Sequence, residues 1–119
     1  MVTLKLAAEE SLDKVAIAVK RLSSEPAEFF GLDVSDLKVG TQADIAIINP
    51  DALSAYDSDS NREIIYRTDF QNEQLVNRSN GVVEHTIIAD FDAWIDGGFS
   101  PELGKVKMGR PLTYAGRSA

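Results

Sequence analysis

Cysteine is absent from all 119 residues, which removes disulfides, thiolate zinc sites and cysteine nucleophiles together. Stability has to come from packing and hydrogen bonds alone. Histidine occurs once, as His85. A zinc centre usually needs several imidazoles, or imidazoles with a carboxylate, and neither His-x-His nor His-Glu-x-x-His is present. Basic residues are also few: 12 Lys and Arg stand against 19 Asp and Glu, for a formal charge of -7. They are scattered, so a protein that grips the phosphate backbone of nucleic acid is disfavoured. No apolar run approaches the roughly 20 residues of a membrane-spanning helix, and the N-terminus lacks the basic and apolar regions of a signal peptide. These absences lead us to expect a soluble, cytoplasmic chain with neither nucleic acid nor membrane as partner. Without secretion, the glycosylation triplet Asn77-Arg78-Ser79 carries no weight.

What is present fits one ordinary domain. Hydrophobic residues at 44% and charged residues at 26% are close to the soluble average, and a chain of this size can hide roughly two-thirds of its unfolded surface. Leu12, Val15, Ala16, Ile17, Val19 and Leu22 recur at spacings of three and four, which predicts an amphipathic helix over Ser11–Ser24 with Ser11 as its N-cap. Pro26 suits the first turn of a second short helix, and Gly31 can close it in the left-handed conformation. Val2, Leu4 and Leu6 alternate, so Met1–Leu6 reads as a short strand. Ala43–Ile48 is an apolar run rich in branched residues and ended by Asn49-Pro50, which predicts a buried strand. Ile64–Tyr66 is a weaker strand. Val82–Ile88 is a strong one, turned by Asp90-Phe91-Asp92 into Ala93-Trp94-Ile95 as a hairpin. The polar stretches 51–62 and 68–80, and the glycine- and proline-rich residues 97–119, read as irregular surface chain.

Candidate chemistry is sparse. His85 alternates with Val83 and Ile87 on one strand face and reads as a packed, hydrogen-bonded structural histidine. Asp57-Ser58-Asp59-Ser60-Asn61 begins like a calcium loop, but Arg62 stands where glycine is needed and Thr68 where a bidentate glutamate belongs, so a solvated acidic loop is expected. Asp90, Asp92 and Asp96, with Glu84 nearby, lack the apolar pocket that would separate their pKa values for acid–base work. With one histidine and no Gly-x-Ser-x-Gly elbow, a serine nucleophile has no support. There is no phosphate-binding glycine loop. Trp94 with Phe91, Phe99 and Tyr114 offers either core packing or an aromatic contact surface.

The order of segments adds a resemblance. Leu22–Leu32, containing Pro26-Ala27 and Gly31-Leu32, followed by Leu37–Pro50, containing Gly40-Thr41-Gln42-Ala43-Asp44, resembles the end of amidohydrolase-superfamily enzymes. There the last barrel helix leads through a Gly-x-x-Ala-Asp strand into a small β-sandwich. Asn72–Glu84 and Met108-Gly109-Arg110-Pro111-Leu112 look most like the N-acyl-D-amino-acid deacylase branch. One departure is that Asp90-Phe91 stands where the family commonly has Asn-Gly in its final hairpin. In this reading Gly40 permits a turn, Ala43 allows close approach, and Asp44 accepts backbone hydrogens as the chain enters the sheet.

The resemblance implies amide hydrolysis of N-acylated D-amino acids by a full-length relative whose barrel holds zinc. No catalytic, cofactor-binding or metal residue is carried over to this chain, and zinc is expected only in that relative. The expectation is therefore an α+β fold in one domain, with a helical segment over 10–32, a sheet over 38–96 and a tail over 97–119. Helices should cover one sheet face as part of a composite β-sandwich. The function expected is that of a non-catalytic C-terminal portion of the hydrolase. The alternative is an independent interaction or oligomerisation module. The expected partner is the missing catalytic barrel or a second copy, with Phe91, Trp94 and Phe99 nearest a dimer contact unless the tail folds back over the sheet.

Overall fold

The computed structural model describes residues 1–32, 37–79 and 81–114. The architecture is α+β, with three N-terminal helices followed by antiparallel sheet. Helix α1 spans Val2–Glu10, α2 Leu12–Leu22 and α3 Ser24–Phe30. Ser11 ends α1 and starts α2, its hydroxyl accepting from Lys14 N at 3.3 Å, as expected of an N-cap. Gly31 closes α3 at φ 64°, and the Tyr114 ring lies against it where a β-carbon has no room.

The strand expected over Met1–Leu6 is instead the start of α1. Val2, Leu4 and Leu6 satisfy an alternating pattern, but the following Ala7-Ala8-Glu9-Glu10 favours helix strongly. Packing of α1 on α2 then fixes the choice.

Strand β1 is Ile45–Ile48, helix α4 is Pro50–Ala55, and β2 (Arg62–Arg67) and β3 (Asn72–Asn77) form an antiparallel hairpin of their own. Strands β4 (Val83–Ile88), β5 (Phe91–Ile95) and β6 (Gly98–Phe99) form a meander, and the four-stranded sheet has the order β1-β4-β5-β6. The β4–β5 turn falls on Ala89-Asp90, both with positive φ (48° and 71°), and Phe91 is already the first residue of β5. This places the turn one residue earlier than the sequence suggested. It has the handedness that suits strand twist, built from residues that adopt it less readily than Asn-Gly.

Three further expectations change. Residues 51–62 and 68–80 are not irregular throughout: the first contains α4 and the second contains β3. The sequence had read Asn49-Pro50 only as a strand end, yet it also begins α4, with Asn49 Oδ1 accepting from Ala52 N at 2.9 Å. β1 is not a buried strand, since Ala46 and Ile47 are exposed. The helices do not cover a face of the four-stranded sheet: α1, α2 and α3 pack in sequence on one another, and α1 meets α4. The core at that junction is Leu53, Tyr56 and Val82, with Leu4, Ile48 and Ala52 packed against it. Lys5 Nζ donates to Tyr56 O at 2.7 Å across the same junction.

The chain is open for its size. It exposes 9222 Å², where a folded monomer of this mass exposes about 6,300 Å². Its radius of gyration is 16.4 Å, where about 13.5 Å is usual for this length. Leu12, Leu22, Phe29 and Phe30 on the helices are all more than half exposed.

Candidate functional site

Two places in the molecule bring together residues singled out in the sequence. The first is a polar chain of contacts around Asp44. Gly40, at φ 92°, turns the backbone, and Asp44 precedes β1. Asp44 Oδ1 accepts the backbone hydrogen of Ala89 at 3.0 Å. Its Oδ2 accepts from Gln42 Nε2 at 2.7 Å. Gln42 Oε1 in turn accepts from Arg110 Nε at 2.8 Å, and Asp90 N donates to Ala43 O at 3.4 Å. Gly40-Thr41-Gln42-Ala43-Asp44 and Met108-Gly109-Arg110, which are 64 or more residues apart in the chain by their numbers, therefore meet at the β4–β5 turn. Asp44 performs the role read from the sequence, accepting a backbone hydrogen as the chain enters the sheet. Met108 is buried, which anchors the tail beside this network.

The second place is an open groove of about 450 Å³, between the hairpin stem and one face of the four-stranded sheet. Asn77, Arg78 and Ser79 line one side, and Thr86, Ile88, Trp94 and Phe99 are prominent on the other. Thr86 pairs with Trp94, and Trp94 with Phe99, so these three side chains share one row of the sheet. The Trp94 and Phe99 rings meet edge to face, with centroids 5.0 Å apart. Trp94 Nε1 donates to Val83 O at 3.2 Å, which fixes the indole with one edge on the sheet. Tyr114, expected beside this cluster, lies at Gly31 instead. Phe91, at the start of β5, is 38% exposed.

The remaining candidates are structural. Asp57 organises its own loop: its carboxylate accepts from Ser60 Oγ, from Ser60 N at 3.0 Å and from Asp59 N at 3.4 Å. These bonds, led by the Ser60 hydroxyl, hold its carboxyl below the usual value of 3.8. The Asp57 oxygens are thus turned inward on the loop's own donors, in the exposed acidic loop that the sequence led us to expect, and Asp59 pairs with Arg62.

Glu84 Oε1 accepts from Asn49 Nδ2 at 2.7 Å, while Asp90, Asp92 and Asp96 are exposed. His85 is half-buried in the row Ile47–His85–Ile95. Its Nε2 lies 3.7 Å from Asp96 Oδ1, too far for the hydrogen bond expected of it. The Asn77 amide donates to Ser58 O at 2.8 Å and to Ser58 Oγ at 2.7 Å, and Asn77 Oδ1 accepts from Tyr56 at 2.6 Å.

Among the described residues no three His, Asp or Glu side chains converge. The described residues do not fit a zinc centre. No described helix is long and apolar enough to cross a membrane. Comparison with known proteins returns no matching family model, no similar curated protein and no similar solved structure.

Proposed function

We propose that this chain is the non-catalytic C-terminal portion of an amidohydrolase of the N-acyl-D-amino-acid deacylase type. It would serve as scaffold for a zinc-bearing barrel that hydrolyses the amide bond of N-acylated D-amino acids. The observation that carries the reading is the Asp44–Gln42–Arg110 network. Gly40–Asp44, which belongs to the amidohydrolase resemblance, and Met108–Arg110, which belongs to the deacylase resemblance, are distant in sequence, yet they are hydrogen-bonded to each other and to the Ala89 turn. Their side chains do structural work, as a scaffold requires.

The surface supports the same reading. Helices α2 and α3 would be the last helices of the barrel, and Leu12, Leu22, Phe29 and Phe30 face water here. A barrel would cover them and recover the hydrophobic stabilisation that their exposure forgoes, at about 25 cal/mol per Å². The four-stranded sheet would be this chain's contribution to a composite β-sandwich, completed along the exposed strand β1.

The test is the coding sequence adjoining this chain. An adjoining in-frame or neighbouring region that encodes barrel strands with a His-x-His pair is the expected result. A neighbouring region without any such barrel would remove the proposal.

A further inference from the structure

Among the described residues the hairpin β2–β3 has no third strand and no helix laid on it. Its contacts with other elements are made at the stem, where Tyr56 and Ser58 hold Asn77. Two six-residue strands give an arm roughly 20 Å long, and an isolated hairpin of this kind is marginal in water. Register settles what its faces carry. Ile64 pairs with Leu75 and Tyr66 with Glu73, so Ile64, Tyr66, Leu75 and Glu73 share one face. The three apolar side chains there are 67%, 63% and 64% exposed. Ile65 and Val76, on the opposite face, are less exposed. The arm therefore turns its apolar face outward.

The open groove begins at the same stem. Asn77, Arg78 and Ser79 form one wall, and Trp94, Phe99, Thr86 and Ile88 contribute the other. Phe99 is 72% exposed although it stacks on Trp94. A convex apolar arm and a concave aromatic groove thus adjoin on one chain. That is the self-complementary arrangement a two-fold contact uses, because each copy presents what the other lacks.

Charge fits as well. Glu73 lies on the arm's apolar face and Arg78 lines the groove, where its Nε already pairs with Glu63 of the same chain at 3.5 Å, so the partner's Glu73 would meet the other guanidinium nitrogens. The excess surface is roughly 2,900 Å² per chain, whereas a standard interface takes about 800 Å² from each partner. The area is enough for a second interface besides the helical side assigned to the barrel.

We infer that this chain forms a two-fold dimer in which the β2–β3 arm of each copy lies in the Trp94–Phe99 groove of the other. Burial of Ile64, Tyr66 and Leu75 against the two aromatic rings drives the contact. This inference does not rest on the proposed enzyme family: it concerns the arm and the groove, and the helical surface is left free.

Trp94 is the sole tryptophan, so its emission reports the groove directly. Light scattering of the 119-residue chain over a hundredfold range of concentration is expected to give a mass of two chains at the upper end. Trp94 emission should shift to the blue along the same curve. Leu75→Glu and Ile64→Glu, each checked for an unchanged far-ultraviolet circular dichroism spectrum, should weaken the dimer at least about tenfold and abolish the shift. Phe29→Ser, on the helical side, should leave both unchanged. A one-chain mass at every concentration overturns the inference. So does a dimer that survives the two arm variants or is lost with Phe29→Ser, since either result puts the contact elsewhere. Failure to find an adjoining barrel leaves these measurements unaffected.

Discussion

Asp44 and Ala89, 45 positions apart, are joined by a 3.0 Å hydrogen bond from the Ala89 backbone to the Asp44 carboxylate. Because Ala89 sits at φ 48°, the bond secures a turn residue whose conformation its own side chain disfavours. Asp44→Ala removes the acceptor and releases Gln42 from the chain of contacts to Arg110. The expected loss is about 1 kcal/mol of unfolding free energy, read from urea titration. Asp44→Asn keeps one acceptor oxygen and should lose less. Equal losses for the two variants would mean that the carboxylate's charge or its second oxygen, and not its shape, secures the turn.

The same turn can be improved. Ala89 and Asp90 both adopt positive φ, which Asn-Gly adopts with less strain. The double substitution Ala89→Asn with Asp90→Gly is expected to raise stability by roughly 1 kcal/mol, visible as a higher thermal midpoint. A lower midpoint would show that the Ala89 conformation is not maintained in solution.

Leu53 and Phe29 should respond oppositely to truncation. Leu53 is 5% exposed at the α1–α4 junction, whereas Phe29 is 82% exposed. Leu53→Ala is expected to cost about 2–5 kcal/mol, and Phe29→Ser less than about 0.5 kcal/mol. Denaturant midpoints distinguish the two, and Phe29→Ser should also increase solubility, since it removes an exposed ring.

These sites also show what was legible in the sequence. Helix α2 could be read because Leu12, Val15, Val19 and Leu22 obey one period and Ser11 caps it. The α3 terminus was legible because Gly31 is the residue that a left-handed cap favours. The pair β4 and β5 was legible from branched and aromatic content. Strand β3 was not, because Asn72-Glu73-Gln74-Leu75-Val76-Asn77 has little strand preference of its own and is held in place by pairing with β2. Helix α4 could have been found from Asn49 followed by Pro50, an N-cap with proline at the first helical position. The Asp44–Ala89 contact was half legible: the acceptor could be named, but its donor depended on where the turn fell. The groove was legible only in its aromatics, Trp94 and Phe99, because its other wall comes from a hairpin containing the unread β3 and the row Thr86–Trp94–Phe99 is aligned by register alone.

Acidification should act on the Asp57 loop late. The Asp57 carboxyl is held below 3.8, first by the Ser60 hydroxyl and then by backbone hydrogens of Ser60 and Asp59. A lowered folded value means that the loop's contribution is fully present above 3.8 and is lost as pH falls through the lower folded value. Carbon-detected NMR titration should therefore place Asp57 below 3.8. In Ser60→Ala it should move back toward that value; no movement would show that the hydroxyl is not the main cause.

The most direct measurement for the scaffold account is amide hydrolysis of N-acetyl-D-amino acids, with zinc content determined on the same samples. It compares the 119-residue chain with the same chain joined to its adjoining coding region. The account predicts acetate release and bound zinc in the joined protein, and neither in the 119-residue chain. Turnover by the 119-residue chain alone, with one zinc per chain, would contradict it.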